Sequence, residues 1–186
     1  MSYPKNAARR ILPYANLRKL PKSKESAVTG FSALYSVEQC FLVTSSSWAI
    51  NPGNCPTISH NLHRWNQRTD TLWWSAIATT KLAPKRVVRS WAARRLRVAF
   101  VESLKKYGYF SDGSQRNRKN GSALKGTLQL FANHPILISI LSRDLTMHMD
   151  HTVQLIINQQ QELKRSGEFA GKKSPGQWKS IIKRKY

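Results

Sequence analysis

The side chains able to hold a metal or activate a nucleophile are few in this sequence, and their spacing is poor. Cys40, Cys55, His60 and His63 put four zinc-ligand types within 24 residues, in the order C-x14-C-x4-H-x2-H. A zinc finger opens on a close pair of cysteines, because two thiolates from one turn fix half of the tetrahedron. Here fourteen residues separate them, and no metal site is expected. His148 and His151 are three apart, with Asp144 and Asp150 nearby. The glutamate of a zinc-protease helix is missing between them, so His151 reads as a polar contact. The chain has nine carboxylates. The pairs that could hold two metals for phosphodiester cleavage are Asp144 with Asp150 and Glu102 with Asp112, and neither has a recognisable context. The sequence contains no P-loop, Gly-rich dinucleotide turn or Gly-x-Ser-x-Gly elbow. The expectation is a protein that is not an enzyme and takes no cofactor, metal or small-molecule substrate.

The residues that do recur are cations. Among 186 residues there are 31 Lys and Arg, giving a formal net charge of +22. A compact protein this basic repels itself, so an anionic partner is expected. Nucleic acid is the first choice, because its dense phosphates release counterions on binding. An anionic membrane surface or an acidic protein would also fit the charge. The excess falls in three blocks: +6 in residues 1–26, +10 in residues 84–125 and +7 in residues 164–186. The intervening segments carry +1 (27–83) and −2 (126–163). A scaffold with basic arms fits this pattern. Within the central block Arg86, Arg89, Arg94, Arg95 and Arg97 lie close together, followed by Arg116, Arg118 and Lys119. Arginine bonds phosphate oxygens bidentately and stacks on bases. Arg64, Trp65 and Arg68 interleave phosphate-binding and base-stacking types. Lys183, Arg184 and Lys185 stand just before the last residue, Tyr186. All of these are candidate nucleic-acid contacts. No RRM, KH or zinc-knuckle signature accompanies them, so backbone and shape recognition is expected rather than base-specific readout.

Several elements must position these residues. Residues 84–107 predict a helix, with Pro84 in its first turn and Gly108 just past its end. Val88, Ala92, Leu96, Ala99, Phe100, Ser103, Leu104 and Tyr107 share one face. The opposite face groups Val87, Trp91, Arg94, Val98, Val101 and Lys105. A solvated face should not carry a Trp and three Val, so Trp91, Val98 and Val101 are expected to dock a partner. Leu124–Ala132 predicts a strand. Asn133-His134-Pro135 turns the chain, and 136–141 reads as a second strand of a hairpin or the start of a helix. Residues 144–164 predict a helix with Asp144 as N-cap, and 166–176 a linker. Phe31–Val43 reads as a strand or a short helix, and the rest of 27–83 shows no clean period.

The expected fold is therefore α+β: a small core of two helices and a short β-hairpin, with extended basic N- and C-terminal arms. Its parts are a basic arm or mitochondrial targeting segment (1–26), an irregular segment that a partner could order (27–83), a compact α+β domain (84–165), and a linker with a basic tail (166–186). Residues 7–20 are basic, free of acids and mixed with apolar residues, as in mitochondrial targeting segments, although Pro13 interrupts a helix there. No apolar run reaches 18 residues, so no membrane span is expected. Two cysteines imply no disulfide framework. The function expected is a structural, rRNA-contacting component of a ribonucleoprotein, foremost a mitochondrial ribosomal protein in the matrix, with RNA and neighbouring proteins as partners. The alternatives are a nuclear or nucleolar nucleic-acid-binding factor and a nucleic-acid-processing enzyme.

Overall fold

A computed structural model describes residues 11–21, 30–44, 63, 65, 67–116 and 122–170, the last five by backbone only. Its elements are a turn of 3-10 helix (Tyr14–Asn16), β1 (Arg18–Lys19), β2 (Phe31–Ser36), β3 (Leu72–Ala78), α1 (Arg86–Lys106), β4 (Gly126–Ala132), α2 (Ile136–Ser139) and α3 (Ser142–Ala170). The fold is α+β, with one four-stranded sheet in the order β1-β2-β4-β3.

Helix α1 forms where its apolar residues recur at helical spacing. Ala92, Leu96, Ala99, Phe100, Ser103 and Leu104 are buried as that spacing requires, joined by Ala93. Val88 and Tyr107, at the margins of the stripe, are half-buried. Pro84 stands just before the capping residue Lys85 rather than in the first turn. At the other end, Gly108 adopts φ +81°. This lets the Gly108 amide reach the Lys105 carbonyl at 3.1 Å and the Tyr109 amide reach the Leu104 carbonyl at 2.9 Å. Those two bonds are the Schellman closure, which satisfies carbonyls the helix leaves free.

β4 is the centre of the sheet. It pairs antiparallel with β2, Tyr35 opposite Leu128, and parallel with β3, Trp74 opposite Leu128. α1 supplies the crossover between the parallel strands β3 and β4, as parallel pairing demands. Both edges of β4 are thus occupied, and the expected hairpin with 136–141 does not form. Pro135 instead takes helical angles and leads into α2. The amides of Asn133 and His134 both donate to the Gly30 carbonyl at 3.2 Å, tying the turn to the start of β2.

Residues 27–83, read above as irregular, supply β2 and β3. Residues 18–19, within the expected basic arm, form edge strand β1, and Leu17 and Leu20 are buried beside it. α3 begins at Ser142, two residues before the expected cap, so Asp144 lies in its first turn, where a carboxylate favours the helix dipole. It continues to Ala170, through the first five residues of the expected linker. Residues 1–10, 22–26 and 171–186 of the two arms lie outside the described residues.

Alternation along the strands sends Leu72, Trp74, Ala76, Leu128, Leu130, Ala33 and Tyr35 toward one face, where they join Leu96, Phe100 and Leu104 of α1 and Leu145, Met149, Val153 and Ile156 of α3 in one core. Trp74 packs edge-on to Phe100, ring centroids 4.7 Å apart. The other face carries Trp73, Thr127 and Gln129, all buried. Their polar groups are partly answered by the segment after β2, where the Cys40 amide donates to Thr127 Oγ1 at 2.8 Å, and by β3, where the Ser75 carbonyl accepts from Gln129 Nε2 at 3.2 Å. No described helix is long and apolar enough to cross a membrane.

Candidate nucleic-acid interface

The basic residues of α1 divide by direction. Arg89 turns back to the carbonyls of Ala83 and Pro84. Arg95 reaches across to α2, donating to the carbonyls of Leu137 at 2.8 Å, Ile138 at 3.2 Å and Ile140 at 2.6 Å. Arg95 thus caps carbonyls that the C-terminal end of α2 leaves unpaired, and Arg89 holds the loop that leads into α1. Arg86, Arg94, Arg97 and Lys105 are exposed and have no carboxylate partner among the described residues. Arg97 has one long contact, to the Ala76 carbonyl at 3.5 Å. Arg86 and Arg97 are eleven residues apart, as are Arg94 and Lys105. At 1.5 Å and 100° per residue, each pair lies almost in line, about 16 Å apart along the axis. The result is two parallel rows of exposed cations on one helix, without carboxylate partners among the described residues.

Apolar side chains adjoin the Arg94–Lys105 row. Val87 is 80% exposed, Trp91 45% and Val98 49%, while Val101 is half-buried. The guanidinium of Arg95 lies 4.9 Å from the Trp91 ring centre. Trp91, Arg94, Val98 and Glu102 form one wall of a groove of about 300 Å³, and Ser142, Leu145 and Thr146 of α3 form the other.

The structure places the remaining basic candidates elsewhere. Trp65 packs against Phe41 at 5.3 Å and Trp73 at 4.8 Å. Arg68 lies over Trp65 and Trp73, at 5.5 and 4.9 Å, and pairs with Asp70 at 2.8 Å. This aromatic cluster covers the sheet face opposite the helices, a use that the interleaved sequence pattern did not distinguish from RNA stacking. Arg116 is exposed, its guanidinium 5.3 Å from the Phe110 ring. Arg64, Arg118, Lys119, Lys183, Arg184 and Lys185 lie outside the described residues.

Two of the carboxylates considered for catalysis, Asp150 and Asp112, make structural contacts. Asp150 accepts hydrogen bonds from Ser103 Oγ at 2.6 Å and from Lys106, joining α3 to α1. Asp112 accepts from the Ser114 amide at 2.9 Å and hydroxyl at 2.6 Å. Those bonds, the hydroxyl foremost, hold its carboxyl below the usual range. The Asp112 carbonyl in turn receives the Leu72 amide at 3.0 Å and fixes the start of β3. Burial depresses the His148 imidazole, with Asp144 opposing the effect. No group of three metal-ligating side chains occurs among the described residues. Cys40 is buried, and burial raises its thiol pKa. Cys55 and His60 lie outside the described residues.

Comparison with protein-family models, with curated proteins and with solved structures finds no match for this chain.

Proposed function

We propose that this protein is a structural, RNA-binding component of a ribonucleoprotein, and that it works by binding rather than by catalysis. The observation that supports the reading most is the pair of cation rows on α1, Arg86 with Arg97 and Arg94 with Lys105, without acidic partners among the described residues and carried on a helix anchored in the core. Such a surface suits phosphates, because each cation that meets one releases a counterion. The chain's composition extends the surface into basic N- and C-terminal segments, the pattern of proteins that thread into folded RNA. The targeting-like composition of residues 7–20 favours the mitochondrial ribosome as the particle. The Asp112 and Asp150 carboxylates are engaged in structural hydrogen bonds, which favours a non-catalytic role.

Sedimentation of mitochondrial and whole-cell extracts through sucrose gradients tests the assignment. The protein is expected to travel with a ribosomal particle in mitochondrial extracts and to be released by high salt. Nuclear signal from a tagged copy, with none in mitochondria, would sink the mitochondrial reading. Purified protein is expected to lose RNA affinity by orders of magnitude between roughly 50 and 200 mM salt, if about 6–10 phosphates are contacted. RNA cleavage in Mg²⁺ that disappears in Asp144→Ala and Asp150→Ala would overturn the non-catalytic reading.

A further inference from the structure

We propose that the groove between α1 and α3 binds one unstacked base of single-stranded RNA, with Trp91 as the stacking surface and Glu102 as the reader of an amino group. This rests on the RNA-binding reading above and adds a ligand subsite to it.

The Trp91 indole is exposed yet held. Arg95 lies against it at 4.9 Å, and three carbonyl acceptors fix Arg95 in turn. A ring held this way loses little freedom when a base stacks on it, so more of the stacking energy survives as affinity. The groove, about 300 Å³, stands at the small end of ligand sites. It admits a flat ring system and leaves the sugar and phosphate outside. Arg94 lines it without a carboxylate partner among the described residues and can take the phosphate.

Glu102 decides between ligand classes. It is one of nine acids in a chain of net charge +22, and it lines this groove without a cation partner among the described residues. Its one side-chain contact is the Thr146 hydroxyl at 3.5 Å. That hydroxyl has a single proton and a nearer acceptor, the Ser142 carbonyl at 3.0 Å. The carboxylate therefore keeps open acceptor positions facing the groove. An ionised carboxylate only accepts. It repels a phosphate, and equally an acidic peptide, but matches the amino group of cytosine or adenine and the adjacent ring N–H and amino group of guanine. Uracil sets carbonyl oxygens on both sides of its N–H and is disfavoured. The charge order in the groove, Arg94 for phosphate and Glu102 for a donor edge, is that of a nucleotide.

The test uses the full chain and fluorescently labelled decamers of C, A and U beside an RNA duplex, with affinity read by anisotropy at fixed low salt. The C and A decamers are expected to bind about tenfold more tightly than the U decamer. Trp91→Ala is expected to weaken C and A binding by about tenfold, within the range for one stacked base, and to leave duplex binding within about twofold, whereas Trp91→Phe retains most of the affinity. Glu102→Gln is expected to bring C and U within about twofold, since an amide can also donate to uracil. Equal affinity for C and U in the unaltered protein overturns the proposal and needs no variant. Salt-sensitive binding that is indifferent to Trp91→Ala also overturns it, leaving the phosphate contacts standing and Trp91 as a protein-docking residue. Absence of binding to any RNA at low salt overturns the RNA reading itself.

Discussion

The side-chain amide of Gln160 donates to the Tyr35 hydroxyl at 2.7 Å, and both groups also donate to one carbonyl, that of Lys125, at 2.7 and 2.6 Å. Three distant parts of the chain, strand β2, the entry to β4 and the far part of α3, meet in this buried triangle. Gln160→Leu is expected to lower stability by about 1–3 kcal/mol, the cost of leaving buried polar groups short of a partner. Tyr35→Phe is expected to cost less, about 1 kcal/mol, because Gln160 still serves the carbonyl. Urea denaturation curves of the two variants check the order.

The same triangle sets an alkaline limit. Burial pushes the Tyr35 phenol up to about 12, against the lowering effect of Gln160. The raised value means that the folded state holds the proton more tightly than the unfolded chain does. Stability is therefore fully present below the unfolded value of about 10 and falls as pH rises from there through about 12, by at most about 3 kcal/mol. Lysines titrate in the same window, so the diagnostic is a comparison. Tyr35→Phe is expected to show a shallower loss between pH 10 and 12, measured by denaturant midpoints at each pH.

Gly126 and Gly108 both hold positive φ, +106° and +81°, but differ in surroundings. A Cβ on Gly126 would fall 2.1 Å from the Ser36 carbonyl oxygen, whereas one on Gly108 meets nothing within 4 Å. Gly126→Ala is expected to cost more than about 3 kcal/mol by forcing β2 from β4, while Gly108→Ala bears backbone strain alone, about 1 kcal/mol. Melting temperatures of the pair separate the clash from the strain.

Adjacent arginines on α1 are expected to behave oppositely. Arg95→Ala removes the donors that cap α2 and is expected to cost about 2 kcal/mol of stability. Arg94→Ala touches no backbone, and is expected to change stability by less than about 0.5 kcal/mol while reducing the salt slope of RNA binding by about 1. Paired denaturation and salt-titration series would expose a reversal of these roles.

The long helices α1 and α3 were readable because each buries a single face over many turns. Val87, Trp91 and Val98 stood out on α1 as apolar residues on the wrong side, and the structure leaves all three exposed. The sheet was harder to read for a physical reason. Its central strand β4 and its neighbour β3 are covered on both faces, so Trp73 and Trp74 are adjacent and each is largely out of solvent, which erases the alternation that marks a half-exposed strand. The partners of β4 are also remote: β2 lies nearly a hundred residues earlier, and no local pattern encodes that pairing. Among the basic residues, composition could not separate Arg89 and Arg95, which face carbonyls, from Arg86 and Arg94, which face solvent. The groove needed α3 beside α1 before Glu102 could be seen as part of a site.

Helix α3 outruns the body it packs on. Gln160 is its last buried residue among those whose side chains are described, and Gln161 to Arg165 are exposed, with Lys164 reaching the Ser122 hydroxyl, while the helical backbone runs on to Ala170. At 1.5 Å per residue this extension spans about 15 Å, and it acts as a strut that fixes both the distance and the bearing at which the chain beyond Ala170 departs. Deleting one residue between 161 and 165 would swing that departure point by about 100° around the axis and leave the core intact. The fold thus carries an aiming device whose setting is counted in residues rather than in contacts.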